Sequence, residues 1–148
     1  MIRLLPALIL AAAPAVAQEV TDCDWRASAQ AIAEPWADNT RTFSNGKTRL
    51  ALLDTVEPAA GSQHLLFLSP PYGELGERQC RVVSLSGGIG FLEILFHELA
   101  ADYDPATGLS FSVPVHLYDP DTGTARAGFS VLRVTLNQAT GDMTVGLW

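Results

Sequence analysis

Asp104-Pro105-Ala106-Thr107-Gly108 and Asp119-Pro120-Asp121-Thr122-Gly123 stand at either end of Leu109-Ser110-Phe111-Ser112-Val113-Pro114-Val115-His116-Leu117-Tyr118, and this stretch decides the fold. Both flanks read Asx-x-x-Thr-Gly, and the same pattern returns at Asn137-Gln138-Ala139-Thr140-Gly141. An Asp or Asn side chain in that place accepts from a backbone N–H two residues on. Pro presets φ for the first turn position, and Gly takes the positive φ that returns the chain. Each is a hairpin connection. Between the first two, Leu109, Phe111, Val113, Val115 and Leu117 alternate with smaller or polar residues, the pattern of a strand with one buried and one wet face. Pro114 falls on the wet phase and has no N–H, which predicts an edge position or a bulge. Beyond the second turn, Leu132, Val134 and Leu136 share one phase of Phe129 to Leu136. Met143, Val145 and Leu147 share one phase of the last strand. With the segment before Asp104, the turns space out a four-stranded antiparallel meander.

Upstream, Asn45-Gly46 lies between Arg41-Thr42-Phe43-Ser44 and the run Lys47 to Leu53, a strong hairpin signal. His64 to Ser69 is expected to pair with Cys80 to Leu85 across Pro70-Pro71-Tyr72-Gly73-Glu74-Leu75-Gly76. Asp24 to Ala33 places Trp25, Ala29, Ile32 and Ala33 on one helical face, offers Thr21 or Asp22 as N-cap and ends near Pro35, which predicts a short helix. Phe91 to Ala101 fits both periods, and the turn at Asp104 favours strand. The expected fold is all-β and mainly antiparallel, a short N-terminal helix followed by about eight strands in a small barrel or two-layer sandwich. The meander leans toward the barrel, because closure removes exposed edges.

Residues 1–17 read as a secretory signal peptide: Arg3, the apolar run Leu4 to Val16, and a small-x-small site at Ala15-Val16-Ala17. The run falls short of the about 20 apolar residues that a spanning helix needs, so no transmembrane anchor is expected. Val20-Thr21-Asp22 lacks the small residues that lipoprotein processing expects before Cys23. Residues 18–148 then form a single β domain that is periplasmic or secreted. In an oxidising compartment Cys23 and Cys80 are expected to form a disulfide, and a loop of that span contributes roughly 4 kcal/mol on the chain-entropy model.

Asp and Glu number 16 against 9 Lys and Arg, for a net charge of −7, and the basic residues are scattered. That argues against nucleic acid, which needs clustered cations. Motifs with chemistry are incomplete. His97-Glu98-Leu99-Ala100-Ala101 begins like the zinc-protease pattern H-E-x-x-H, but Ala101 stands where the second ligand belongs. Nothing in the spacing joins His64, His97 and His116. Asp119 and Asp121 resemble the start of a calcium loop, yet Gly123 and Ser130 occupy the fifth and twelfth positions, and turn chemistry already explains both aspartates. Ser86-Gly87-Gly88-Ile89-Gly90 lacks the residues of a P-loop or dinucleotide fingerprint and reads as a flexible hairpin loop. No metal, cofactor or catalytic residue is assigned, and the reading leans away from an enzyme.

The loop Pro70 to Leu75 combines prolines, an aromatic ring and an apolar residue on a surface connection, so Tyr72 and Leu75 are the candidate binding residues. The expectation is a non-enzymatic binding or interaction module of the cell envelope, its partner an envelope protein or a small ligand. The alternative is a carrier with an apolar ligand inside a barrel, which requires a cavity not filled by Leu52, Leu66, Val82, Phe111 and Leu132.

Overall fold

The computed structural model describes residues 18–148, so the expected signal peptide lies outside the described residues. In chain order the strands are β1 Glu19–Asp22, β2 Thr40–Phe43, β3 Thr48–Asp54, β4 Gln63–Tyr72, β5 Arg78–Ser84, β6 Glu93–Ile94, β7 Ala100–Asp104, β8 Gly108–His116, β9 Tyr118–Asp119, β10 Thr124–Ala125, β11 Ser130–Leu136 and β12 Met143–Leu147. All pairings are antiparallel. The first sheet runs β1-β5-β4-β3-β2, the second runs β12-β11-β8 with β6 and β7 both on the far side of β8, and β9 and β10 form a small separate hairpin.

Neither sheet closes on itself, so the barrel expectation is corrected: the sheets are open and share one core. Leu50, Leu52, Leu65, Phe67 and Val83 of the first sheet meet Leu109, Phe111, Val113, Leu132 and Val134 of the second. Phe111 is the wedge between layers, edge-on to Phe43 at 5.0 Å and to Phe67 at 5.5 Å between ring centroids. The lumen that an internal ligand requires is not formed. Leu52, Phe111 and Leu132 fill the space between the layers, while Leu66 and Val82 face the other way.

That other face is also covered. Ala51, Leu53, Leu66 and Val82 pack under Ala31, with Cys23, Ala27 and Ile32 alongside. Burial of both faces explains why Leu50 to Leu53 and Leu65 to Leu68 read as unbroken apolar runs rather than alternations. The cover is not the expected α-helix. It is two single turns of 3₁₀ helix, Trp25–Ala27 and Ala29–Ala31, separated by extended Ser28. The apolar face assigned to a helix does not exist, since Trp25 and Ala29 are exposed and the buried side chains are Arg26 and Ala31. Asp24 explains the break, because its carboxylate caps the Arg26 N–H and grips the Arg26 side chain, fixing a tight turn rather than starting a long helix. The disulfide Cys23–Cys80 pins this cover to β5.

The Asx-x-x-Thr-Gly turns behave as their chemistry dictates. Asp104 accepts from Ala106 N–H at 2.7 Å, Asp119 from Asp121 at 3.0 Å and Asn137 from Ala139 at 3.0 Å. Gly108, Gly123 and Gly141 all have positive φ. The Asn45-Gly46 hairpin forms with the pairing Phe43↔Thr48 at its mouth. β4 and β5 pair Leu68 with Cys80, and β4 continues past an irregularity to Tyr72.

Phe91 to Ala101 is neither one strand nor a helix. It crosses from the first sheet, where Phe91 bridges Gln63, to the second as β6, a 3₁₀ turn at Phe96–Glu98, and then β7. The interruption falls opposite Pro114. N–H and C=O of one strand residue point the same way, and the Pro114 carbonyl accepts from Leu95 N–H at 3.0 Å, so its missing donor faces this segment. β8 is therefore not an edge strand, and the defect appears in its neighbour. In the glycine-rich turn before the crossover Ser86 bridges Ile89, and a Cβ on Gly90 would sit 2.2 Å from the Gln63 carbonyl oxygen.

Candidate functional site

Chemically distinctive side chains meet first in the interior. Arg26 donates to Asp24 through Nε and Nη2, to Thr21 Oγ1 through Nη2 at 3.0 Å, and to Ser84 Oγ through Nη1 at 2.9 Å. Ser84 Oγ in turn lies 2.8 Å from His64 Nδ1. The Arg26 proton fills one acceptor position of Ser84 Oγ, and the hydroxyl shares a hydrogen bond with the His64 ring on its other side. Burial first, and then the Arg26 charge, push the His64 pKa down to about 4. The Arg26 hydrogen bonds hold the Asp24 carboxyl below its usual value. A Ser–His contact suggests hydrolysis, but Arg26, His64 and Ser84 are 5 %, 1 % and 0 % exposed, which leaves no room for a substrate at Ser84 Oγ. This chain joins the N-terminal cover to the first sheet.

The accessible geometry lies at the end and edge of the sandwich, where three depressions join. A hollow of about 390 Å³ is lined by Tyr72 and Pro70 at the end of β4, by Asn45 and Lys47 of the β2–β3 turn, and by Gln138. Ser44 and Gln138 also line the next, about 530 Å³, between Phe43 on one side and Ala101 to Tyr103 on the other. Ala101 and Asp102 continue into a third, about 270 Å³, on the outer face of the second sheet with Ser110, Ser112, Arg133 and Thr135. The result is one groove over the free edges of β2 and β7.

Its walls are fixed by hydrogen bonds that cross between sheets. Gln138 Nε2 donates to buried Thr48 Oγ1 at 2.9 Å and its Oε1 accepts from Ser44 Oγ at 3.2 Å, tying the β11–β12 turn to the β2–β3 hairpin. Gln79 Nε2 donates to the Gly141 carbonyl at 2.9 Å. Arg41 of β2 donates to the Leu99 carbonyl just before β7, and its guanidinium lies over the Phe43 ring at 5.5 Å. Exposed Tyr72 and Tyr103 line the first two hollows, and exposed Trp148 lies against Arg133, which lines the third.

Of the sequence candidates, Tyr72 is half exposed and sits in the groove wall, paired with Arg78 at the end of β4 rather than in a loop. Leu75 is 95 % exposed at the tip of the β4–β5 turn, beyond the groove lining. Cys23 and Cys80 form the disulfide. His97 and Glu98 lie in the 3₁₀ turn, His116 contacts the Gly128 carbonyl and His64 is in the buried network, so the three histidines have separate neighbours. Among the described residues no group of three or more His, Cys, Asp or Glu is placed to hold a metal ion. Sequence reasoning missed Gln138, Asp102, Tyr103, Arg133 and Trp148 because the groove draws on strands far apart in the chain. The one local hint is Gln138 inside a turn motif whose other polar residues serve the turn. No protein-family model matches the chain, and comparison with curated proteins and with solved structures found no match.

Proposed function

We propose that this chain is a non-enzymatic binding module of the cell envelope, working in a periplasmic or extracellular space, and that it holds an extended envelope component along the groove. The observation that carries the reading is the continuity of three surface hollows through shared residues, Ser44 and Gln138 and then Ala101 and Asp102, with exposed Tyr72 and Tyr103 lining the first two and exposed Trp148 against Arg133 of the third. A surface chained in this way suits a long occupant that touches several stations rather than a compact metabolite enclosed on all sides. Aromatic bodies with polar tips, amides and hydroxyls supply contact area and orientation together. The disulfide is compatible with an oxidising compartment, and among the described residues no helix is long and apolar enough to cross a membrane.

The test is co-sedimentation of the purified domain with isolated envelope material. Tyr72→Ala combined with Leu75→Ala removes the ring in the groove wall and the apolar tip next to it. The expected result is binding weakened at least ~fivefold, as for loss of one well-placed aromatic contact, with the melting temperature unchanged. Undiminished binding by the double variant contradicts the placement of the site at this end.

A further inference from the structure

The outer-face end of the groove has a chemistry of its own. Trp148 directly follows β12, and its indole folds back across Gly146: a Cβ there would fall 2.2 Å from the ring. Glycine is thus the floor on which the indole lies. Both backbone hydrogen bonds of Trp148 are made with Val131, so the ring has a fixed base. Arg133, directly opposite Gly146 across the β11–β12 ladder, brings its guanidinium to 5.4 Å from the ring centroid. Trp148 as a whole residue nonetheless remains 70 % exposed. Arg133 also lines the trough, which presents the hydroxyls of Ser110, Ser112 and Thr135 and is bordered by Asp102 on β7.

We propose that this end of the groove is a saccharide site, with Trp148 as the stacking surface and Asp102, Ser112 and Arg133 as partners for sugar hydroxyls. The inference rests on the reading of the groove as a binding surface and names the class of its occupant. A pyranose ring has one face of C–H groups and a rim of hydroxyls. It is matched by a flat, preorganised indole beside a guanidinium, with small hydroxyls and then a carboxylate further across the sheet, each able to serve two neighbouring sugar oxygens. Other occupants match poorly. A polyanion would meet Asp102 on a chain of net charge −7. An acyl chain would leave the polar lining unpaired. A peptide adding as a strand would lie along the open edge of β7 or β12 and not in the trough, whose floor residues Ser112 and Arg133 belong to β8 and β11, paired on both sides.

The experiment titrates the ¹⁵N-labelled domain with chitohexaose, cellohexaose and maltohexaose. The chain has three tryptophans, so three indole N–H signals report separately. The expected result is movement of the Trp148 signal with at least one hexasaccharide, while Trp25 and Trp36 stay in place. Trp148→Ala is expected to weaken that binding at least ~tenfold, the scale of one aromatic stacking contact with its buried area, and Trp148→Phe to retain most of it. Binding that leaves the Trp148 signal unmoved, or that survives Trp148→Ala, overturns the proposal. Should no hexasaccharide bind while the domain still sediments with the protein fraction of envelope material, the saccharide assignment alone fails. Should it bind neither sugar nor any envelope fraction, the groove reading fails with it.

Discussion

Arg26 holds together parts of the chain that have little else in common. Its guanidinium joins Asp24, Thr21 and Ser84, and through Ser84 it reaches His64, so one buried cation connects β1, the N-terminal cover, β5 and β4. This arrangement has a pH signature with a definite sign. His64 is kept neutral in the fold, its pKa depressed from 6.5 to about 4, whereas in the unfolded chain it takes up a proton near 6.5. Stability from this group is therefore complete above pH 6.5 and declines as pH falls toward 4, because the unfolded state binds more protons in that window. Chemical denaturation measured between pH 7 and pH 4 is expected to show this decline, and His64→Gln to flatten it. A second residue with an individual signature is Val56, an exposed β-branched residue at φ 67. Val56→Asn suits that backbone better and is expected to raise stability by about 1 kcal/mol. An unchanged or lower melting temperature counts against strain at this position. Neither feature is legible in the sequence. A lone Arg beside Asp reads as surface, and only the meeting of distant strands takes it inside.

Elements whose structure depends on neighbouring residues are the legible ones. The Asx-x-x-Thr-Gly turns carry their acceptor, their Pro or polar filler and their glycine within one short motif, so side chain, backbone and conformation agree in all three. The inward phases of β8, β11 and β12 follow as directly, since β8 and β11 bury alternate residues and Met143, Val145 and Leu147 pack, partly buried, against the same core. Elements decided by tertiary contacts are not legible. The segment after Cys23 has a helical pattern, but Asp24 bonds Arg26 locally and the segment folds as a flat cover of two short turns. The break in the β6–β7 edge is dictated by a proline on another strand. The disulfide is the one long-range link the sequence announces, and its role is to hold the cover. Replacing Cys23 and Cys80 together by Ser is expected to cost roughly 4 kcal/mol. Hydrogen exchange is expected to show residues 23–33 losing protection before β8 and β11. Uniform loss across both sheets would mean that the bond does not act through the cover.

At the scale of the whole molecule, meander connectivity is compatible with both a closed and an open sheet, so strand order alone does not choose. The choice is made by the apolar runs at Leu50 to Leu53 and Leu65 to Leu68, which require a partner on each side of the first sheet: the second sheet on one and the N-terminal cover on the other. An open sandwich keeps free edges, and the groove is built over two of them, β2 and β7, with Arg41 and Gln138 linking elements across the gap. Tyr72 was accessible to sequence reasoning as an aromatic at a proline-marked bend. The rest of the groove was not, because Phe43, Asp102, Arg133 and Gln138 become neighbours only when the layers meet. The most direct measurement is a backbone ¹H–¹⁵N titration of residues 18–148 with solubilised envelope polymer. The expected result is shifts concentrated at residues 43–47, 70–72, 100–103, 133–138 and 146–148; shifts confined to the far surface around Trp25 and Val56, or none at saturating polymer, would contradict the groove as the binding site.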